Sequence, residues 1–220
     1  MKLSKDTLAV FKNFASINSN MSIKAGNKLA TMTVGKNIIA EAILPETFPI
    51  DFGIYDLNEF LGTLSLFDSP ELEFSEKSLT IKEGKHSVKY YAANPTVLTP
   101  VPTLKPFPTP DIEFTLSAQM LNQIQRVSSI LKVADLSISG DGKVVSVCVG
   151  DNKNPTGTTF DSELGSTDKT FKVNLKVENL RMMPADYLVS IGGKKICRFY
   201  SESSHLTYFV AIELGSTFEF

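Results

Sequence analysis

Two histidines, His86 and His205, and two cysteines, Cys148 and Cys197, are the side chains here with the widest chemical reach. Such groups ligate transition metals or act as bases and nucleophiles. Their spacing supports neither role. Neither histidine has a second His or Cys at ligand spacing, and the cysteines form no CxxC pair, so no metal site is expected. Both cysteines lie in strand-like alternations, VVSVCVG and KKICRFY, where a buried free thiol is the expected state. GDGK at 140–143 lacks the spacing of a phosphate loop, and the nucleophile-elbow, zincin and dinucleotide-binding patterns are absent. Asp56 and Glu59 flank a helix start, where acids complement the helix dipole. A hydrolase built on paired carboxylates is therefore the weakest reading, and no catalytic residue and no cofactor are expected.

What the residue types do support is a placed surface charge. The chain has 220 residues, 42% hydrophobic and 21% charged, the balance of an ordinary soluble protein with one large domain or two smaller ones. Its net charge of −2 gives no general pull toward nucleic acid or membrane. No apolar run spans a bilayer, and MKLSKDTLAVF has no signal-peptide pattern, so a cytosolic setting is expected. On a helical wheel, residues 4–16 place Leu8, Phe11, Phe14 and Ala15 on one face and Lys5, Ala9, Lys12, Asn13 and Ser16 opposite. Residues 117–129 place Ala118, Asn122, Gln125, Arg126 and Ser129 on the equivalent outward face. Asp6 is the one acid near either face. The acids gather instead in SPELEFSEK, in GDGK and at Asp161, Glu163 and Asp168. One helix showing lysine to solvent is common. Two matching helices cleared of acid in a net-acidic chain point to a surface facing a polyanion. Lys132 extends it, as do Lys176 and Arg181 from a second short helix. No helix-turn-helix, zinc finger or aromatic platform is present, so such a surface would meet phosphates without reading bases.

The elements that position these residues occur twice. Leu3, Ser4, Leu8, Phe11, Phe14, Ser16 and Ile17 recur without a gap 113 positions later (116 − 3) as Leu116, Ser117, Leu121, Ile124, Val127, Ser129 and Ile130. Between the copies, residues 94–111 hold six of the eleven prolines, an extended connector. The expected domains are 1–93 and 111–220, with a connector at 94–110. Each domain reads as a short strand, the amphipathic helix, several strands, a second short helix (DLNEFLGTLSLF or VENLRMM, the latter ended by Pro184) and three closing strands. GDGK and GGKK are expected hairpin turns. The fold class is α+β, two repeated units, each an antiparallel sheet backed by two helices.

MKLSKDTLAVFKNFASINS, IYDLNEFLGTLSL at 54–66 and the ending FVAIELGSTFEF resemble the DNA polymerase sliding clamps of T-even-type bacteriophages, with consistent element order across the whole chain. The resemblance implies a homotrimeric ring of six clamp-type domains, with sheets outside and helices around a central hole that duplex DNA threads. It implies a clamp-loader ATPase, a replicative polymerase tethered by its C-terminal peptide, and a late-transcription co-activator and sigma-like factor as partners in the host cytoplasm, without membrane and without enzymatic activity. The DNA-facing residues would be Lys5, Lys12 and Arg126 first, then Asn122, Gln125, Lys132, Lys176 and Arg181. The strand SVKYYAA (87–93) is expected to meet TGTTFDSEL (156–164) of a neighbouring copy. Apolar side chains of the connector cannot all be buried within it. Val97, Leu98, Val101, Leu104 and Phe107, with Leu214 and Phe218 as the floor, are expected to form a groove for the polymerase peptide. The competing reading is a repeat-built structural or assembly protein of a phage virion that encircles no DNA.

Overall fold

One local signal starts both long helices. The Ser4 hydroxyl accepts from Thr7 N at 3.2 Å and the Ser117 hydroxyl from Met120 N at 3.1 Å, each satisfying a first-turn donor that has no partner within the helix. The structure is a computed structural model that describes residues 1–154, 156–193 and 195–219. Its backbone contacts divide the chain into two units, Met1–Thr103 and Leu104–Phe220.

The first unit runs α1 (Lys5–Ile17), β1 (Met21–Ile23), β2 (Gly26–Met32), β3 (Ile38–Phe48), β4 (Phe52–Ile54), α2 (Leu57–Leu64), β5 (Glu71–Ser75), β6 (Ser78–Glu83) and β7 (His86–Tyr91). β1 pairs with β4, β2 with β3, and β5, β6 and β7 form a meander, all antiparallel. The β2–β3 register shifts between Gly26 and Lys28, and Pro45 sits opposite that irregularity, where its missing donor costs no ladder bond. The strand expected before α1 shrinks to one pair: the Met1 ammonium donates to Leu72 O and Leu72 N to Met1 O, both at 2.7 Å.

α1 packs on α2 and β3 and buries Thr7, Val10, Phe11, Phe14 and Ile17. The expected stripe of Leu8, Phe11, Phe14 and Ala15 is corrected by part of a turn, because Leu8 and Ala15 are only half-buried. The cause is polar. Thr7 Oγ1 and Ser4 N both donate to the Glu46 carboxylate on β3, which draws the Thr7 side inward. Behind the helix, Phe11 lies 6.3 Å from Phe48 and 5.8 Å from Phe60 between ring centres, and Phe74 meets Phe48 and Phe52 edge-on at 5.9 and 5.5 Å. Edge-on pairs add to area burial.

The second unit runs β8 (Ile112–Leu116), α3 (Ala118–Leu131), β9 (Asp135–Asp141), β10 (Val144–Gly150), β11 (Phe160–Ser166), β12 (Thr170–Lys176), β13 (Tyr187–Gly192), β14 (Ile196–Ser201), β15 (Leu206–Ala211) and β16 (Thr217–Phe218). β11–β10–β9–β12–β16 form one antiparallel sheet, and β8–β13–β14–β15 pair antiparallel in that order. GDGK turns through Gly142 at φ 84°, a region costly for any residue with a Cβ. In GGKK, Lys194 lies outside the described residues. β11 starts at Phe160, four residues later than TGTTFDSEL suggests. Both cysteines are free thiols, Cys197 buried and Cys148 half-buried.

The α+β class and antiparallel sheets hold, but the second helix of this unit does not form. VENLRMM makes only a 3-10 turn over Val177–Asn179. Its backbone groups find partners other than helical ones. Gln125 Nε2 donates to Leu180 O (2.7 Å), Tyr187 Oη donates to Met183 O (2.6 Å), and Tyr208 Oη accepts from Met183 N (3.3 Å). Burial pushes the Tyr208 hydroxyl up to about 12 and the Tyr187 hydroxyl further, so both remain protonated. With carbonyls and amides satisfied from outside, a helix has nothing to add.

Candidate nucleic-acid interface

The outward faces of α1 and α3 carry the cations that the wheel placed there. Lys5 and Lys12 on α1 and Arg126 on α3 are exposed and form no ion pair among the described residues. Asn122 is exposed beside Arg126. Lys132 caps the C-terminus of α3 in the left-handed region (φ 55°) with its side chain exposed. α3 contains no acid at all, and α1 only Asp6.

The helix N-termini, which could have received phosphate themselves, are already taken by carboxylates. Glu46 serves α1, and Asp186 Oδ1 accepts from Ala118 N at 2.8 Å for α3. Burial raises the Glu46 carboxyl, but the bonds from Thr7 and Ser4 outweigh it and leave the group below its ordinary value. An anion approaching these faces therefore meets flexible side chains, which suits loose phosphate contact and gives no base readout.

Three expected members have their polar groups engaged within the protein. Lys176 ends strand β12 and pairs with Asp135, so its charge is compensated rather than offered to solvent. That bond raises the Lys176 ammonium. For Asp135, burial pushes the carboxyl up and the Lys176 bond overrides it downward. Gln125 is half-buried and spends its amide on Leu180 O. Arg181 is exposed, but its Nε donates to Glu178 O at 3.0 Å. Lys2 is the cation that sequence reading missed. With Lys5 and Lys12 it rims a cavity of ≈ 390 Å³ floored by Leu8, Leu61 and Leu64. Lys2 precedes the helix, so no helical periodicity could have pointed to it.

The connector is pinned at both ends. Leu98 is 6% exposed. Ala93 N donates to Gly53 O (2.9 Å) and Thr99 N to Asn20 Oδ1 (2.8 Å), while a Cβ at Gly53 would come within 2.6 Å of Ala93 O. In the second unit, Phe107 packs 6.2 Å from Phe209 with the Arg198 guanidinium 4.6 Å from its ring centre, and Asp111 N donates to Ile191 O. Leu98 and Phe107 are therefore anchors and not free groove walls. Val101 and Leu104 are half-buried and Val97 is exposed. Leu214 is 99% exposed on the turn before Gly215. Phe218 pairs with Phe171 in β16, a strand the sequence reading did not include.

Among the described residues no group of three or more His, Cys, Asp or Glu could hold a metal ion, and no helix is long and apolar enough to cross a membrane.

Residues 4–98 match the family of DNA polymerase processivity factors, and residues 113–214 match the family described as gp45 sliding clamp, C terminal. The chain is 36% identical to the sliding clamp of Enterobacteria phage T4, covering 100% of both chains, and 34% identical to that of Vibrio phage KVP40, covering 97% of this chain and 99% of that one. Among solved structures, it resembles A. fulgidus PCNA bound to the C-terminal region of FEN-1, with a TM-score of 0.74 at 11% identity and 98% coverage of each chain. It also resembles the Helicobacter pylori beta clamp bound to a DNA ligase peptide, with a TM-score of 0.62 at 13% identity, covering 98% of this chain and 66% of that one. At these identities the structural likenesses establish the clamp fold alone.

Proposed function

The chain belongs to the sliding-clamp family of DNA polymerase processivity factors, and we propose that it acts by encircling duplex DNA as a homotrimeric ring. The observation that carries this reading is the set of exposed, ion-pair-free cations Lys5, Lys12 and Arg126 on two equivalent, nearly acid-free helix faces. A topological link needs no base contact, and a sparse basic face avoids the tight phosphate binding that would arrest sliding. Lys132 and Asn122 complete the DNA-facing set, with Lys2 beside Lys5. Nothing in this role requires catalysis.

Ring closure fits the sheet edges. β7 and β11 each end a sheet among the described residues. The edge of β7 (in SVKYYAA) would pair with β11 of the next copy, a head-to-tail contact that closes when the rotation fits. Tyr91, Leu66 and Ile130 are exposed apolar residues that such contacts would cover. The replicative polymerase would be held by its C-terminal peptide beside the connector, against Val101 and Leu104, as other clamps of this fold hold short partner segments. A clamp-loader ATPase would open the ring, a late-transcription co-activator and sigma-like factor would share its surface, and the setting would be the host cytoplasm.

The test is loading onto DNA. A ring loaded by the cognate loader should be retained on circular duplex and lost from linear duplex. The variant Lys5→Ala, Lys12→Ala, Arg126→Ala should keep its fold and trimer, yet load less and support shorter synthesis, with a shallower salt dependence. A triple variant that loads and slides like the parent at every salt concentration would sink the interface. A monomer by light scattering at micromolar concentration would sink the ring.

A further inference from the structure

The β8–β13–β14–β15 sheet has an outer face whose side chains fall in cross-strand rows. One row runs Glu113, Ser190, Arg198, Phe209, and the next runs Thr115, Leu188, Tyr200, Thr207. The first row is closed. Arg198 Nη2 donates to Ser190 Oγ (3.0 Å), Ser190 Oγ donates to Glu113 (2.8 Å), and Phe107 of the connector covers Arg198 and Phe209. The second row is open. Leu188 is 40% exposed and its register neighbour Tyr200 is 36% exposed. Solvent faces of antiparallel sheets normally carry polar side chains, as Thr115 and Thr207 do at the ends of this row. An aliphatic–aromatic pair between them adds nothing to the core.

Leu188 and Tyr200 line a depression of ≈ 520 Å³ rimmed by Asp186 and Glu202. Neither acid forms an ion pair among the described residues, and Asp186 has one oxygen engaged, by Ala118 N. The rim thus presents two carboxylates outside any ion pair around an apolar floor, Glu202 on an exposed turn and Asp186 with its second oxygen free of the α3 N-terminus. A basic–apolar segment complements both features. Seven residues line the depression, against the roughly 20–30 a side of a stable contact between folded copies, so it fits a few side chains of an extended peptide.

We propose that this row is a docking surface for a short partner peptide whose apolar or aromatic residue sits on Leu188 and Tyr200 between basic residues that reach Asp186 and Glu202. It is separate from the connector groove and does not rest on the ring. Tyrosine at the centre of such a patch is a common energetic anchor.

The test uses the full chain and a fluorescein-labelled peptide, Lys-Lys-Leu-Phe-Lys-Lys, followed by anisotropy. Expected is saturable binding that weakens about tenfold or more in Tyr200→Ser and in the control peptide Lys-Lys-Ser-Ser-Lys-Lys. Both mutated positions are exposed, and circular dichroism checks the fold. Glu202→Lys, on an exposed turn, should shift preference toward Glu-Glu-Leu-Phe-Glu-Glu. Equal binding of the serine peptide would reduce the effect to bulk charge and overturn the proposal. So would binding indifferent to both Tyr200→Ser and Glu202→Lys. Self-association of the parent that Tyr200→Ser abolishes would assign the patch to a second copy and overturn it as well.

Discussion

Helix α1 buries Thr7, Val10, Phe11, Phe14 and Ile17, whereas α3, which repeats its pattern, buries only Leu121 and Ile124. The paired positions show how this arises. Phe11 and Ile124 are both fully buried, but Phe14 is buried where Val127 is half-buried, and Ile17 is 6% exposed where Ile130 is 66% exposed. The helices diverge toward their C-termini because their neighbours differ. α1 packs against α2, a true helix. α3 packs on β10 and has, where a second helix would stand, the 3-10 turn at Val177–Asn179, tied by Gln125 to Leu180 O. A repeated pattern thus specifies a repeated helix without specifying equal burial, and α3 keeps an apolar side chain, Ile130, available to a neighbour.

Five substitutions test that comparison, taken from the largest expected effect downward. Phe14→Ala should cost about 3–5 kcal/mol in urea unfolding, and Val127→Ala only about 1 kcal/mol, since its surface is already partly wet. Equal costs would mean that α3 is packed as tightly as α1. Ile17→Ala should cost about 2–5 kcal/mol, and Ile130→Ala about 0.5 kcal/mol or less in the isolated chain. If Ile130→Ala instead weakens assembly of the proposed trimer measured by sedimentation, that exposure serves the proposed ring. Glu46→Gln should cost about 1.5–3 kcal/mol near neutral pH, through loss of charge-assisted bonds at the start of α1. The Glu46 pKa is lowered in the folded state, so its contribution is full above the ordinary value of 4.5 and disappears as pH falls through the folded value. The gap between parent and variant should therefore close on acidification. A gap that persists at low pH would assign Glu46 a packing role only.

Much of the fold was legible in local pattern. The two amphipathic helices, the strand alternations and the glycine turn at Gly142 all act through neighbours within a few residues, so sequence alone reveals them. The candidate interface was legible in part, because exposure of Lys5, Lys12 and Arg126 follows from helical periodicity. Lys176 was not, since its partner Asp135 lies 41 positions away. Nor were the anchoring of Leu98 and Phe107, the pairing of β16 with β12, or the loss of the second helix in the second unit. Each depends on groups distant in sequence: Asn20 for Thr99, Arg198 and Phe209 for Phe107, Tyr187 and Tyr208 for Met183.

The sequence by itself determined that one unit is written twice, where each long helix begins, and which cations its polar face holds, since these are matters of repetition, capping and a 3.6-residue period. Tertiary structure alone decided which of those cations stay uncompensated, how deeply each copy of the helix is buried, and which apolar side chains reach water. Burial and charge pairing are properties of a neighbourhood assembled from remote segments. Two nearly identical local patterns can therefore have different surroundings, as Ile17 and Ile130 do.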